Sequence, residues 1–155
     1  DRLIPDFIRA IQSKEVIQLR YPNAVRPWQH VLDPLSGYLL LAEKLWSSQT
    51  FSGAWNFGPD DDAFITVENV VKRLISVSGK GNYEVSNLPH LHEASLLTLD
   101  INKARSTLNW KPTWSVDTAL EKTMEWYQSN DSDKNSIQEL MKTQINDFIL
   151  SYTQV

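Results

Sequence analysis

The run Arg26-Pro27-Trp28-Gln29-His30-Val31-Leu32-Asp33-Pro34-Leu35-Ser36-Gly37-Tyr38-Leu39 passes from an extended segment into a helix within a few residues. Residues 28–32 read as a short strand. Asp33 then offers a side-chain oxygen to the orphan N–H groups of a following helix, and Pro34 falls at the first helical position, where no N–H is needed. That helix sets Leu35, Tyr38, Leu39, Ala42, Leu45 and Trp46 in line, which predicts one buried face.

Upstream, Leu3, Ile4, Phe7, Ile8 and Ile11 recur at helical spacing, so residues 2–13 read as a helix with Pro5 harmlessly in its first turn. Residues 15–19 read as a strand and residues 21–23 as a turn. Downstream, residues 53–59 read as a strand ending in Gly58-Pro59. Thr66 caps a helix that aligns Val67, Val70, Val71, Leu74 and Ile75, and Gly79-Lys80-Gly81 breaks it. Residues 83–85 and 96–99 are strand candidates. Asp100 caps a short helix through Leu108, and Ser115 caps a longer one carrying Val116, Ala119, Leu120, Thr123, Met124 and Tyr127. Residues 128–136 form a polar connector. Ser136 and Glu139 make a capping box for a final helix, 137–150, with Ile137, Leu140, Met141, Ile145, Phe148 and Ile149 as its apolar positions.

The sum is a small mixed α/β domain over residues 1–155. Its order is too irregular for a complete doubly wound fold, which alternates strands with helices. Its 155 residues suffice for a real core, and 41% apolar with 22% charged residues is ordinary for a globular protein.

Composition excludes several classes of function. There is no cysteine, so neither disulfides nor thiolate zinc sites exist, which agrees with a cytoplasmic setting. No apolar run approaches the ~18 residues of a membrane span, and no signal peptide is visible. Asn130-Asp131-Ser132 fits a glycosylation sequon only by chance in that setting. The first residue is Asp1 and not methionine, which is expected of a piece of something longer. The net charge of −4 argues against free nucleic acid as a partner. Up to His30, five basic residues face three acidic ones. That bias suits either an anion site or ordinary surface variation.

The missing motifs are equally informative. There is no Gly-x-Gly-x-x-Gly loop, Walker loop, nucleophile elbow or His-Glu-x-x-His helix. No tyrosine is followed by lysine at the spacing of a Tyr-x-x-x-Lys pair. His90, His92 and Glu93 lack an evident third ligand partner elsewhere, so a metal site is not expected. Of six tryptophans, Trp46, Trp110, Trp114 and Trp126 read as core, while Trp28 and Trp55 sit beside polar residues and stay open to a stacking role. Arg26 offers a planar fork of donors that matches phosphate oxygens. A surface arginine paired to a carboxylate is the competing reading.

Motif order breaks that tie. Arg26-Pro27-Trp28-Gln29-His30-Val31-Leu32-Asp33 resembles the Arg-x-hydrophobic-x-x-Val-x-Asp segment of the extended short-chain dehydrogenase/reductases that act on sugar nucleotides. Trp55-Asn56-Phe57-Gly58 resembles their aromatic-Asn-aliphatic-Gly strand. Leu99-Asp100-Ile101-Asn102-Lys103-Ala104-Arg105 and Leu108-Asn109-Trp110-Lys111-Pro112 resemble their closing Asp-x-x-Lys-Ala and Leu-Gly-Trp-x-Pro motifs. Asn109 replaces the usual glycine, a position where asparagine also tolerates φ > 0. Asp1-Arg2-Leu3-Ile4-Pro5-Asp6, His92-Glu93-Ala94 and Thr143-Gln144-Ile145 point within that family to the CDP-glucose 4,6-dehydratases.

The resemblance implies a C-terminal substrate-binding domain whose Rossmann half, with its NAD and its Tyr-x-x-x-Lys pair, lies outside the chain. Such enzymes oxidise the sugar at C4 with NAD, expel water across C5 and C6, and return the hydride to C6, giving CDP-4-keto-6-deoxyglucose for deoxysugars of bacterial surface polysaccharides. The ligand it implies is CDP-glucose or a related nucleotide sugar, and the parent enzyme is expected to be a homo-oligomer. Carried over by position, Arg26 binds the diphosphate and Asn56 lies at the nucleotide-sugar site. Arg2, Leu3 and Pro5 pack beside the nucleotide. Gln18, Leu19 and Arg20 offer backbone groups to the base, and His92 lies near diphosphate and ribose, unless it is a structural loop histidine. No catalytic, cofactor-binding or metal-binding residue is expected in the chain. Two rivals stay open: a dTDP- or UDP-sugar dehydratase or epimerase, and a non-enzymatic helical binding or assembly module using the final helix.

Overall fold

The computed structural model describes residues 2–86, 93–129 and 134–153. Helix α1 (Leu3–Ser13) opens the chain, and Phe7 and Ile8 are its buried residues. It ends on Lys14 in the left-handed region, with φ 58. The Lys14 and Glu15 amides donate back to the Ile11 and Ala10 carbonyls at 3.2 and 2.8 Å, so the last turn leaves few orphan carbonyls.

Two small two-stranded sheets follow. Strand β1 (Ile17–Leu19) pairs in parallel with β4 (Tyr83–Val85), and β2 (Val25–Pro27) pairs antiparallel with β3 (Phe64–Thr66). Between them lie α2 (Leu32–Ser47), after β2, and α3 (Val67–Ser78), after β3. The rest is helical: α4 (Asn102–Leu108), α5 (Val116–Ser129) and α6 (Lys134–Thr153). This is the mixed α/β class read from the sequence. No helix among the described residues is long and apolar enough to cross a membrane.

The main core joins Phe7 and Ile8 of α1 with Ile17 and Leu19 of β1, Val70, Val71 and Leu74 of α3, and Leu120 and Met124 of α5. A second cluster gathers Phe57, Ile101, Ala104, Leu108 and Trp110 under α2. Gly37 makes that second contact possible. A Cβ there would stand 2.2 Å from Phe57 Cδ1, so only glycine lets α2 lie against the Phe57 ring.

Several caps are where the sequence placed them. Thr66 Oγ1 accepts from the Asn69 amide, and Ser115 Oγ accepts from the Thr118 amide. Asp100 Oδ1 accepts from the Asn102 amide at the head of α4. Asn109 does take positive φ, at 54.

Other expectations fail, each for a visible reason. Residues 28–32 are not a strand, because the ladder stops at Pro27. Asp33 does not cap α2, which starts at Leu32. Its carboxylate turns inward and takes the Thr113 amide instead. Residues 53–59 join no strand ladder, and side chains take two of their carbonyls: Gln29 donates to Phe57 and Lys103 to Ala54. Residues 96–99 reduce to one bridge, Leu96 to Val25. Strand β3 (Phe64–Thr66), just ahead of α3, is not among the strands the sequence predicts.

The α2 face is the largest departure. Trp46 is 94% exposed, and Leu35, Tyr38, Leu39 and Leu45 are exposed too, while the buried positions are Asp33 and Gly37. Helix α6 spans Lys134–Thr153, so Ser136 lies within it and not at the cap position expected of it. Its seam with α5 is largely polar: Gln144 donates to the Lys122 carbonyl at 2.8 Å, and Lys122 pairs with Asp147 at 3.0 Å. Phe148 is its buried apolar anchor, edge-on to Trp114. Trp110 is fully buried, as expected.

Candidate functional site

The expected site residues fall on four structural pieces. Arg2 is exposed just before α1, and its carbonyl accepts the Asp6 amide at 3.0 Å. Leu3 packs against the main core, and Pro5 sits partly buried in the first helical turn. The start of α1 is thus a firm edge.

Strand β1 shares that core. Leu19 is buried, so its side chain is not available to a ligand. Its carbonyl is also taken, by the Ser86 amide at 2.8 Å, and the Ile17 amide donates to Asn82. In a parallel pair, alternate residues turn their backbone groups to opposite edges. Gln18 therefore aims its N–H and C=O away from β4, toward the unpaired edge of this two-stranded sheet. Of the three residues expected to present backbone to a base, Gln18 has the geometry and Leu19 does not. The Gln18 side chain meets Glu84 at 3.3 Å, and Arg20 is exposed.

Arg26 stands in the middle of β2, opposite Ile65. Its side chain is only 17% exposed. Nη1 donates to the Val25 carbonyl at 2.8 Å, so the guanidinium folds back along its own strand. Nη2 donates to the Glu93 carboxylate. The segment carrying Glu93 is stapled to the same strand: the Val25 amide donates to Ser95 at 2.8 Å and the Leu97 amide donates to Val25 at 3.1 Å. The structure thus gives Arg26 the carboxylate partner of the competing reading, on a side chain that is mostly enclosed.

Asn56 is exposed beside the second core cluster. Its amide donates to the Asp100 carbonyl at 3.1 Å, which ties the 53–59 segment to the entry of α4. Its neighbour Trp55 carries the Lys103 ammonium 4.0 Å above its ring. His92 and His90 lie outside the described residues. Among the described residues no cluster of His, Asp and Glu has the form of a metal site.

The sequence reading passed over a group of buried polar side chains at the β2–α2 junction. Gln29 and His30 interrupt an apolar run there, and that interruption was the available signal. His30 Nδ1 accepts from the Leu32 amide at 3.3 Å, and its ring lies 4.8 Å from that of Trp114. Burial, with help from the Lys122 charge, pushes its pKa down to about 4. Asp33 is wholly buried, and burial pushes its carboxyl up to about 6 although the Thr113 and Trp114 amides oppose this. Asp33 Oδ2 and Gln29 Oε1 are buried with no hydrogen-bond partner among the described residues. Next to this junction an apolar cleft of about 450 Å³ opens between Val31, Leu35, Trp126, Met141 and Ile145.

Among the described residues Gly79 and Gly81 lead into strand β4 and not into a helix, unlike a glycine turn that presents a helix N-terminus to a pyrophosphate.

No known family model matches the chain. A CDP-glucose 4,6-dehydratase of Salmonella typhimurium is 39% identical over 131 residues, which is 83% of this chain and 36% of that protein. The chain thus spans about a third of that relative's length. Among solved structures, a dTDP-glucose 4,6-dehydratase of Bacillus anthracis, in complex with NAD, superposes with a TM-score of 0.68. It is 22% identical, over 84% of this chain and 40% of that one. A UDP-glucose 4-epimerase of Thermotoga maritima with UDP-glucose gives a TM-score of 0.64 at 22% identity, over 81% of this chain and 39% of that one. These likenesses establish the fold, while the Salmonella match supplies the sequence kinship. The chain belongs to the NAD-dependent epimerase/dehydratase family, among whose members a CDP-glucose 4,6-dehydratase is its relative in sequence.

Proposed function

We propose that the chain is the C-terminal part of a CDP-glucose 4,6-dehydratase and supplies its nucleotide-sugar-binding surface. The observation that carries this reading is the 39% identity to the Salmonella enzyme across most of the chain. In the whole enzyme NAD would supply the hydride-transfer chemistry on the sugar. That cofactor is held by the part of the protein outside this chain, together with the proton-transferring tyrosine and lysine. The whole protein in this reading is a cytoplasmic homo-oligomer that serves deoxysugar synthesis.

The chain's own residues bind and orient. The Arg26 fork neutralises the diphosphate, a permanent cation meeting two phosphates in a sheltered place. The free edge of β1 at Gln18 reads the base. Its N–H suits the cytosine ring acceptors and its C=O suits the exocyclic amine. Arg20 extends that edge. Arg2, Leu3 and Pro5 form the wall at the start of α1. Asn56 and His92 approach the sugar-phosphate side.

Two measurements test this. Calorimetric titration of the chain with CDP-, UDP- and dTDP-glucose is expected to rank CDP-glucose first, and equal affinities or no heat with any of them defeat the base assignment. Incubation with CDP-glucose and NAD is expected to yield no 4-keto product. Turnover would overturn the assignment of chemistry to the other part of the enzyme.

A further inference from the structure

We infer that Glu93 is a built-in competitor for the anion at Arg26, so that it sets the affinity of the site for phosphorylated ligands. The inference rests on the reading of Arg26 as the diphosphate-binding cation, and it assigns a role to a residue outside that reading.

The geometry is specific. Arg26 is mostly enclosed, whereas Glu93 is about half-exposed. Arg26 is further held by its Nη1 bond to the Val25 carbonyl. The cation is therefore the fixed member of the pair and the carboxylate the one free to leave. Glu93 is not a chance neighbour. Two residues later the Ser95 carbonyl takes the Val25 amide, and Leu96 bridges to Val25, so the backbone register delivers the carboxylate to that guanidinium.

Charge then decides who occupies the fork. A carboxylate and a diphosphate cannot share one guanidinium without strong like-charge repulsion at contact distance. Partly exposed ion pairs contribute only about 1 kcal/mol or less, because solvent screens them and holding the side chains costs entropy. A diphosphate carries more charge and more acceptor oxygens than one carboxylate and displaces it. A phosphomonoester, with a charge of about −1.5 to −2 near pH 7, also outweighs the carboxylate and must displace the same competitor. In the absence of ligand the pair keeps the guanidinium oriented and the pocket electrically balanced.

Glu93→Gln removes the competing charge and keeps the shape. The probes are CDP-glucose and CMP, titrated calorimetrically into the wild-type chain, Glu93→Gln, Arg26→Gln and the double variant, at low salt. The expected result is that Glu93→Gln binds CDP-glucose about fivefold tighter. CMP is expected to gain by a similar factor, because both ligands displace the same carboxylate. In the Arg26→Gln background Glu93→Gln is expected to give no tightening beyond a small general charge effect, because the competitor acts through that cation. If the wild-type chain binds CDP-glucose, needs Arg26 to do so, and Glu93→Gln binds no tighter or more weakly, Glu93 is a support for Arg26 and the inference fails alone. If Arg26→Gln binds like the wild type, or no protein binds, the diphosphate reading of Arg26 fails and takes the inference with it. Glu93→Gln changes a half-exposed side chain, and an unchanged thermal melt certifies its fold.

Discussion

Two buried titratable groups at the β2–α2 junction are expected to cancel each other's influence on stability, and removing either unmasks the other. Asp33 has a folded-state pKa of about 6 against 3.8 unfolded, and His30 about 4 against 6.5. Stability changes with pH in proportion to the protons bound by the unfolded chain minus those bound by the folded one. Between pH 4 and 6 the folded protein keeps the Asp33 proton that the unfolded chain has lost, so this group makes stability fall as pH rises. Over the same range the unfolded chain protonates His30 while the folded protein keeps it neutral, so that group makes stability rise. Each shift of two units or more amounts to about 3 kcal/mol, an order-of-magnitude figure. The two slopes oppose one another almost fully from pH 4 to 6.

Urea denaturation of the wild type, Asp33→Asn and His30→Gln, each from pH 4 to 7, checks this. Relative to wild type, Asp33→Asn is expected to become more stable by about 3 kcal/mol on going from pH 4 to pH 6. His30→Gln is expected to drift by a similar amount in the other direction. The differences between curves matter, not their heights. A constant cost, such as an unpaired amide donor where Asp33 Oδ2 now lies partnerless among the described residues, shifts a whole curve without tilting it. Curves parallel to wild type within about 0.5 kcal/mol would sink the argument that burial sets these two pKa values.

Three further outcomes follow from particular contacts. Gly37→Ala puts a methyl group into the Phe57 ring and is expected to cost about 1–3 kcal/mol in urea unfolding, since neither backbone can easily retreat. Asn109→Ala, at φ 54, is expected to lower stability by about 1 kcal/mol, whereas Asn109→Gly leaves it nearly unchanged. Trp46→Glu is expected to change the melting temperature hardly at all, because the ring is 94% exposed, and a large drop would return Trp46 to the core that its helical spacing suggested.

The elements legible from the sequence are those whose information is local. Helices α1, α3 and α5 carry their own apolar stripe, and Thr66, Asp100 and Ser115 carry their own capping oxygens. The positive φ of Asn109 follows from the same local chemistry. The order of short motifs around Arg26, Asn56 and Trp110 was enough to point to the family, and the Salmonella relative bears that out.

What needed tertiary structure is every choice between two local options of similar merit. Asp33 beside Pro34 is a sound helix cap on paper, yet the Thr113 amide, eighty residues away, claims its carboxylate. An amphipathic α2 does not say which partner covers its apolar face, and here Gly37 and Asp33 face inward while Trp46 faces water. Strand-like segments such as residues 53–59 become strands only if a neighbouring backbone arrives, and Gln29 and Lys103 side chains arrived instead. Arg26 as a phosphate fork and Arg26 as an ion-pair partner are equally good sequence readings. Only the register that sets Glu93 against β2 shows the ion pair, because the contact joins residues 67 positions apart.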